Sequence, residues 1–357
     1  MGAQLCYREN IQGENTSKPG PNRGSAKNAK QAVKKHASHK RLRIVYARLL
    51  IKLNKLDKAQ EQFEYLIKRN PNDSDLLLSL ALLSWENELD KQAKKYLYQL
   101  LKTGKKAGDA HTYLGQIFTA EKEYDKAIKH YKQVQNGPNY VTAQIQLALV
   151  YSEIKQVEKG FVILHKAMET YPKNKIQFII TESELLAKED RLDDAYTLLN
   201  SALKDAPKDS NLLYSRAMLA EKLNNLDQLE TDLRSIIDDN PESALALNAL
   251  GYTLADRSDR LKEALELIEQ AAIIEPDDPA IIDSLGWVHY KLGNNATALE
   301  HLRKAFKLFN DHEIAAHLGE VLWSEGLKEE ATALWRSSIL KFPDSTILKK
   351  VMDRFLK

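Results

Sequence analysis

The chain has 357 residues, of which 43% are apolar and 29% are charged, and it holds only 14 Gly and 10 Pro. Scarce turn-forming residues are typical of a helical protein that forms a core. The charge is nearly balanced, with 52 Lys and Arg against 50 Asp and Glu, which argues against a protein built around nucleic acid. The single cysteine, Cys6, excludes an internal disulfide framework, and the sequence as written predicts neither a transmembrane helix nor a secretory signal.

Residues 1–39 are predicted to form a basic, largely disordered tail. They hold almost no large apolar side chains, so we expect disorder until about Ala26 and a helix after it. Residues 1–43 carry 10 basic and 2 acidic side chains, a net of +8, which leaves 42 against 48 in the remainder, a net of −6. We interpret this tail as a solvated, charged end, with binding of anionic lipid or nucleic acid as the alternative. No aromatic residues interleave with the basic ones to stack on bases, so no nucleic-acid partner is expected.

A 34-residue period runs through residues 40–345. In eight of the nine periods a small residue precedes a large apolar residue by four places, and Leu229 takes its place in the sixth. This pattern predicts two amphipathic helices whose backbones approach closely. Proline or another turn-former separates one helix pair from the next, and Pro71 and Pro343 are 272 residues apart, which is eight steps of 34. The small and large pairs are Ala59/Phe63, Ala93/Leu97, Ala127/Tyr131, Gly160/Leu164, Ala195/Leu199, Leu229/Leu233, Ala264/Ile268, Ala298/Leu302 and Ala331/Trp335.

The segments YLGQIF (113–118), SLGWVHY (284–290) and HLGEVLW (317–323) resemble the tetratricopeptide repeat family. Nine repeats fit, with starts near 40, 74, 108, 141, 176, 210, 244, 279 and 312. The resemblance implies an all-α fold, a right-handed superhelical solenoid of about nine helix-turn-helix repeats. Residues 346–357 are predicted to form a capping helix on the last repeat.

No motif for catalysis, a cofactor or a metal is found, so we expect a protein that is not an enzyme and binds no cofactor. The pair His36 and His39 lies in the basic tail, where repulsion would compete with metal coordination, and we interpret it as solvated.

In this repeat family the first helix of each repeat lines the concave face, with positions 2, 5, 9, 12 and 13 pointing into it. The aromatic and polar residues at these positions in the last four repeats are our candidate groove for a protein partner. Packing between adjacent helix pairs is the alternative, above all for the Trp and Tyr of the eighth repeat. Position 5 holds no lysine in any repeat, so a clamp for chaperone carboxylates is not expected. The candidates are Tyr214, Met218, Asn248, Tyr252, Asp283, Trp287, Tyr290, Glu320 and Trp323.

A narrower resemblance covers residues 212–236, 246–271, 278–293 and 313–326. These segments are similar to proteobacterial repeat lipoproteins that bind a periplasmic carboxyl-terminal processing protease and act as adaptors for degradation of peptidoglycan hydrolases. The resemblance implies protein partners of these two kinds and a place on the periplasmic face of the outer membrane. A generic cytoplasmic scaffold and the regulatory portion of a larger enzyme system stay open, as does homo-oligomerisation.

The lipid anchor of such lipoproteins requires an apolar segment and a lipobox before its cysteine. Here Leu5 directly precedes Cys6, and no apolar segment comes before it. The sequence as written therefore reads as cytoplasmic, and a membrane contact is expected only through an anchor that lies outside it.

Overall fold

A computed structural model describes residues 23–36 and 39–356 of the chain. These residues form twenty α-helices and one short 3₁₀ helix at Pro172–Asn174, with no β-strand among them. The predicted all-α fold class is confirmed. In the part of the chain that the structure describes, no helix is both long enough and apolar enough to cross a bilayer.

The helices divide into two compact units, one up to Leu185 and the other from Leu186. Because a repeat contacts only its neighbours, a long repeat array has no single central core. The first unit contains α1 (Arg23–Lys35), α2 (Lys40–Lys52), α3 (Leu56–Ile67), α4 (Ser74–Glu86), α5 (Asp90–Lys102), α6 (Ala107–Ala120), α7 (Tyr124–Tyr131), α8 (Tyr140–Glu153) and α9 (Val157–Thr170), and the boundary falls inside α10 (Lys175–Lys188). The second contains α11 (Leu192–Asp205), α12 (Ser210–Lys222), α13 (Leu226–Asp239), α14 (Ala244–Arg257), α15 (Leu261–Ile274), α16 (Pro279–Lys291), α17 (Asn295–Leu308), α18 (His312–Ser324), α19 (Lys328–Lys341) and α20 (Thr346–Phe355).

The basic segment before residue 40 contributes a packed helix to the first unit. Helix α1 lies against α2, and Val33 is only 6% exposed in a cluster that includes Tyr46 and Leu50. Ala29 and Val33 are four residues apart and therefore share the helix face that meets this cluster. The predicted disorder up to Ala26 lies mainly on residues outside those described.

Even-numbered helices from α2 to α18 are the first helices of nine pairs, and each begins within one residue of a predicted repeat start. Within a pair, small residues let the two backbones approach. A Cβ added to Gly319 would lie 2.0 Å from the Trp335 ring, and one added to Gly115 would lie 2.4 Å from the Tyr131 ring. Both aromatic rings are fully buried, so each glycine makes room for the large residue of its partner helix.

The turn inside most helix pairs ends in a residue of left-handed backbone conformation. Asn54, Glu88 and Lys122 have φ values of 54°, 58° and 58°, and Gly293 and Gly326 take the same place in later pairs. The next residue donates its N–H to the carbonyl five residues back, which closes the first helix with a Schellman bond. In the seventh pair Gly251 and Ala264 are 13 residues apart, one more than the 12 of the other pairs, and this extra residue changes the turn. Helix α14 ends there at Arg257, and its C-cap Ser258 is extended.

Helix α20 covers the end of the second unit by packing on α18 and α19, and it buries Leu348 and Val351. The two units differ sharply in charge. Residues 1–185 hold 31 Lys and Arg against 19 Asp and Glu, a net of +12, while residues 186–357 hold 21 against 31, a net of −10. The charge imbalance found at the N-terminus therefore extends to a division between the units.

Candidate functional site

The nine candidate residues all lie on first helices of the second unit, namely α12, α14, α16 and α18. Helix α14 packs on α16, and α16 packs on α18, so these three first helices lie side by side. We call the side chains that they carry at the predicted positions the first-helix surface.

A buried ion pair joins α16 to α18 on this surface. The Asp283 Oδ2 atom lies 2.8 Å from His317 Nδ1, and the two side chains are 7% and 5% exposed. Burial alone would lower the pKa of the imidazole, but the charge and hydrogen bond of Asp283 raise it, with Glu313 and Asp256 adding to the effect. His317 is therefore held as a cation to higher pH than a free histidine.

Tyr252 extends this network from α14 across to α18. Its hydroxyl donates to Glu313 Oε1 at 3.1 Å and lies 3.3 Å from His317 Nε2. Burial raises the pKa of this phenol, and the neighbouring carboxylates Glu313, Asp256 and Asp283 raise it further. Tyr252 is therefore a neutral hydrogen-bond donor that ties two helices separated by a third.

Trp287 lies beneath the surface. Its ring stacks on His317 with centroids 4.2 Å apart and an interplanar angle of 22°, and Nε1 donates to Asp256 Oδ1 at 3.3 Å. Trp287 is 6% exposed, so its contacts are those of a residue that packs between adjacent helix pairs, which was the alternative to a place in the groove. Tyr290 is half-buried at 5.4 Å from the Trp287 ring and keeps part of its face open.

The other candidates divide between the two ends of the surface. At one end, Tyr214 and Met218 of α12 are half-buried. At the other end, Glu320 forms an ion pair with Arg354, and Trp323 packs against Trp335 and Phe355 of the C-terminal cluster. Asn248 lies in the middle of the surface, and its buried Oδ1 has no hydrogen-bond donor.

Four charged residues at this surface are absent from the predicted set; one of them, Glu221, lies near Glu313 and Asp256. Glu313, Asp256 and Glu221 occupy positions 2, 13 and 12 of their repeats, so the position rule places them on this surface although they were not among the nine candidates. His317 occupies position 6, outside the rule. It lies 34 residues after Asp283, and this spacing of one period is the signal that could have found it.

Metal binding receives no support within the described residues, where no three His, Cys, Asp or Glu side chains could hold an ion together. His39 caps α2, because its Nδ1 accepts from the Leu42 N–H at 3.4 Å. Cys6 lies outside the described residues.

Comparisons with known proteins agree with this architecture. Profiles described as Tetratricopeptide repeat match residues 23–83, 91–141, 230–279 and 284–342, together more than half of the chain. TPR repeat-containing protein PA4667 of Pseudomonas aeruginosa is 44% identical over 211 residues, which are 59% of this chain and 36% of that protein. Cellulose synthase operon protein C of Pseudomonas fluorescens is 21% identical, over 75% of this chain and 25% of that protein. The chain thus spans about a third or less of the length of these curated relatives.

A solved tetratricopeptide repeat protein from Parabacteroides merdae has the same fold. It superposes with a TM-score of 0.53 at 16% identity and covers 70% of this chain and 99% of that one. Proteins built from these repeats generally bind other proteins and are not enzymes. From its sequence, its helix pairs and these comparisons, the chain belongs to the tetratricopeptide repeat family.

Proposed function

We propose that the chain is a non-enzymatic adaptor that binds a carboxyl-terminal processing protease and presents cell-wall hydrolases to it. The proposal rests on the resemblance of residues 212–326 to adaptors of this kind. The observation that carries it is the first-helix surface of the second unit, where Tyr252, Asp283 and His317 fix three helices in one arrangement. A surface that is ordered before binding loses little conformational entropy when a partner docks.

An adaptor of this type acts by proximity. When one chain holds both a protease and its substrate, the second encounter becomes intramolecular, and its rate follows the effective concentration that the scaffold sets. The adaptor needs no reacting group of its own, which fits the aromatic and polar character of this surface.

Reconstitution tests the proposal directly. The purified chain, a carboxyl-terminal processing protease from the same organism and a peptidoglycan hydrolase are combined, and hydrolase degradation is followed with and without the chain. We expect degradation to accelerate by about tenfold or more, since tethering gains of about 10²–10⁴ are available in principle. No acceleration together with no protease binding would contradict the proposal and leave a scaffold for other partners.

Variants assign the effect to the surface. Tyr214→Ala and Tyr290→Ala remove half-exposed rings from first helices and should weaken protease or hydrolase binding. Ile273→Ala is the matched control, because Ile273 is 81% exposed on the second helix α15 and should leave binding unchanged. Equal loss in all three variants would contradict the assignment to the first-helix surface.

A further inference from the structure

Resting on the proposed function, we infer that the first-helix surface recognises a basic segment of its protein partner, with a Lys or Arg side chain held against Tyr252 among Glu221, Asp256 and Glu313. The occupant is an extended stretch of another protein that carries basic side chains.

All four first helices contribute a carboxylate here: Asp256 of α14, Asp283 of α16 and Glu313 of α18 lie near Tyr252, and Glu221 of α12 lies near Asp256 and Glu313. Burial raises the pKa of Glu221, and although Arg257 opposes this, repulsion from Glu313 and Asp256 adds to it. These carboxylates are therefore close enough to repel one another, and a cation placed among them would relieve that repulsion.

The cations already present neutralise this group only in part. His317 is hydrogen-bonded to the buried Asp283, and its charge also attracts Glu313 and Asp256, while Lys222 attracts Glu221. The Arg257 guanidinium, which faces Glu221, donates to Asn224 Oδ1 at 2.8 Å. Asp256 and Glu313 accept only from the neutral donors Trp287 and Tyr252, and neither forms an ion pair with a described residue.

Two buried acceptor atoms on this surface also lack a donor. Asp283 Oδ1 and Asn248 Oδ1 are both buried without a hydrogen bond, and the Asp283 side chain is more than nine-tenths buried. They occupy position 5 of two consecutive repeats, on helices that pack together. Unsatisfied buried acceptors are rare in native proteins, and these two leave partial negative charge uncompensated beneath the surface, which favours a cationic partner above it.

Asn248 and Asp283 place amide and carboxylate oxygens at position 5, where the first unit has neither. Position 5 of the earlier repeats holds Ile44, Leu78, Thr112 and Ile145, so the repeat fold itself requires no polar residue there. The net charge of −10 on residues 186–357 adds a long-range attraction for basic partners, which raises association rates and favours them over acidic ones. Tyr252 contributes the face of its ring, on which an ammonium or guanidinium can rest.

Peptide binding tests the inference. The full chain is titrated into a fluorescein-labelled Gly/Ser peptide that carries several arginines, and into a counterpart with glutamates at the same places, with anisotropy as the readout. We expect the arginine peptide to bind, with an affinity that falls as salt rises, and the glutamate peptide not to bind. Equal affinity for both peptides, or no binding of either, would overturn the inference.

Matched variants locate the site. Glu313→Gln and Asp256→Asn keep the acceptors for Tyr252 and Trp287 while removing one charge each, and each should weaken arginine-peptide binding by about fivefold to tenfold. Glu266→Gln removes the same charge from an exposed position on the second helix α15 and should change affinity by less than about twofold. Equal weakening by Glu266→Gln would show that only net charge matters. Circular dichroism should give the same helical content for all three variants.

The outcomes separate this inference from the proposed function. If the protease binds the chain and Glu313→Gln and Asp256→Asn do not affect it, the adaptor function stands and the basic-segment inference fails. If the arginine peptide binds at this site but no protease does, the inference stands and the adaptor function fails. Sedimentation of the chain alone tests whether a second copy of the chain occupies the surface. Self-association that Glu313→Gln abolishes would assign the surface to that second copy and overturn the inference.

Discussion

Replacing Asp283 by Asn removes the charge that faces the buried imidazole of His317. The two groups are 2.8 Å apart and almost fully buried. At an effective dielectric constant of about 20 their attraction is about 6 kcal/mol, and removal of one partner of a buried pair typically costs about 3–5 kcal/mol because the other charge is left uncompensated. Because Asn keeps an oxygen acceptor, we expect Asp283→Asn to lower the free energy of unfolding of the second unit by about 3 kcal/mol at pH 6.

The cost should depend on pH in a defined direction. The pKa of His317 is raised in the folded protein, so the stabilisation that it provides is complete below the unfolded pKa of about 6.5 and is lost as pH rises through the higher folded value. The difference between wild type and Asp283→Asn should therefore shrink as the pH rises from 6 through the folded pKa of His317.

Hydrogen exchange of the full chain measures this, with peptides from α16 and α18 reporting the local unfolding free energy. Asp277→Asn is the control, since Asp277 is an exposed residue of the preceding turn and should change stability by less than about 0.5 kcal/mol. A loss below about 1 kcal/mol at pH 6, or a cost that grows with pH, would refute the reasoning.

The remaining predictions concern the repeat fold. Gly286→Ala places a Cβ 2.5 Å from a buried leucine of α17 and should destabilise the second unit by about 2 kcal/mol in urea unfolding. A Cβ at Gly108 would have no neighbour nearer than 3.9 Å, so Gly108→Ala should stabilise α6 by about 0.5–1 kcal/mol. Glu88→Gly relieves a φ of 58° and should raise the urea midpoint of the first unit by the equivalent of about 1 kcal/mol, and a lowered midpoint would contradict this. Burial lowers the pKa of His111, and burial together with the charges of His111 and Lys129 lowers the pKa of His130 to about 4. The first unit should therefore lose stability as the pH falls from about 6.5 to 4, which hydrogen exchange can measure. If the His130→Asn variant loses stability over the same pH range, the histidine pair is not the cause.

The helix pairs could be predicted from sequence because their determinants are local and periodic. A small residue four places before a large one, repeated about every 34 residues, fixes which helices pair and where each begins. The turns were less visible, since six of them place Asn, Glu, Lys or Asp, and not Gly, in the left-handed conformation. Packing of α1 was missed as well, because Val33 is the only large apolar side chain of a lysine-rich segment.

The candidate surface could be placed from sequence, but its internal chemistry could not. The pair Asp283 and His317 is one period apart and links neighbouring repeats, so periodicity contains that contact. The hydrogen bond from Tyr252 to Glu313 spans 61 residues and skips the first helix of the repeat between them, so contacts between neighbouring repeats do not predict it. Burial of Trp287 follows from its stacking on His317, and this depends on the side-chain network as a whole.

The central claim is that partners dock on the first helices of the second unit. The most direct test is hydrogen exchange of the full chain with and without a bound carboxyl-terminal processing protease, read peptide by peptide. The account predicts new protection in α14, α16 and α18, centred on Tyr252 and Glu313, with α15 and α17 unchanged. Protection confined to α15, α17 and α19, or to helices before Leu186, would contradict it.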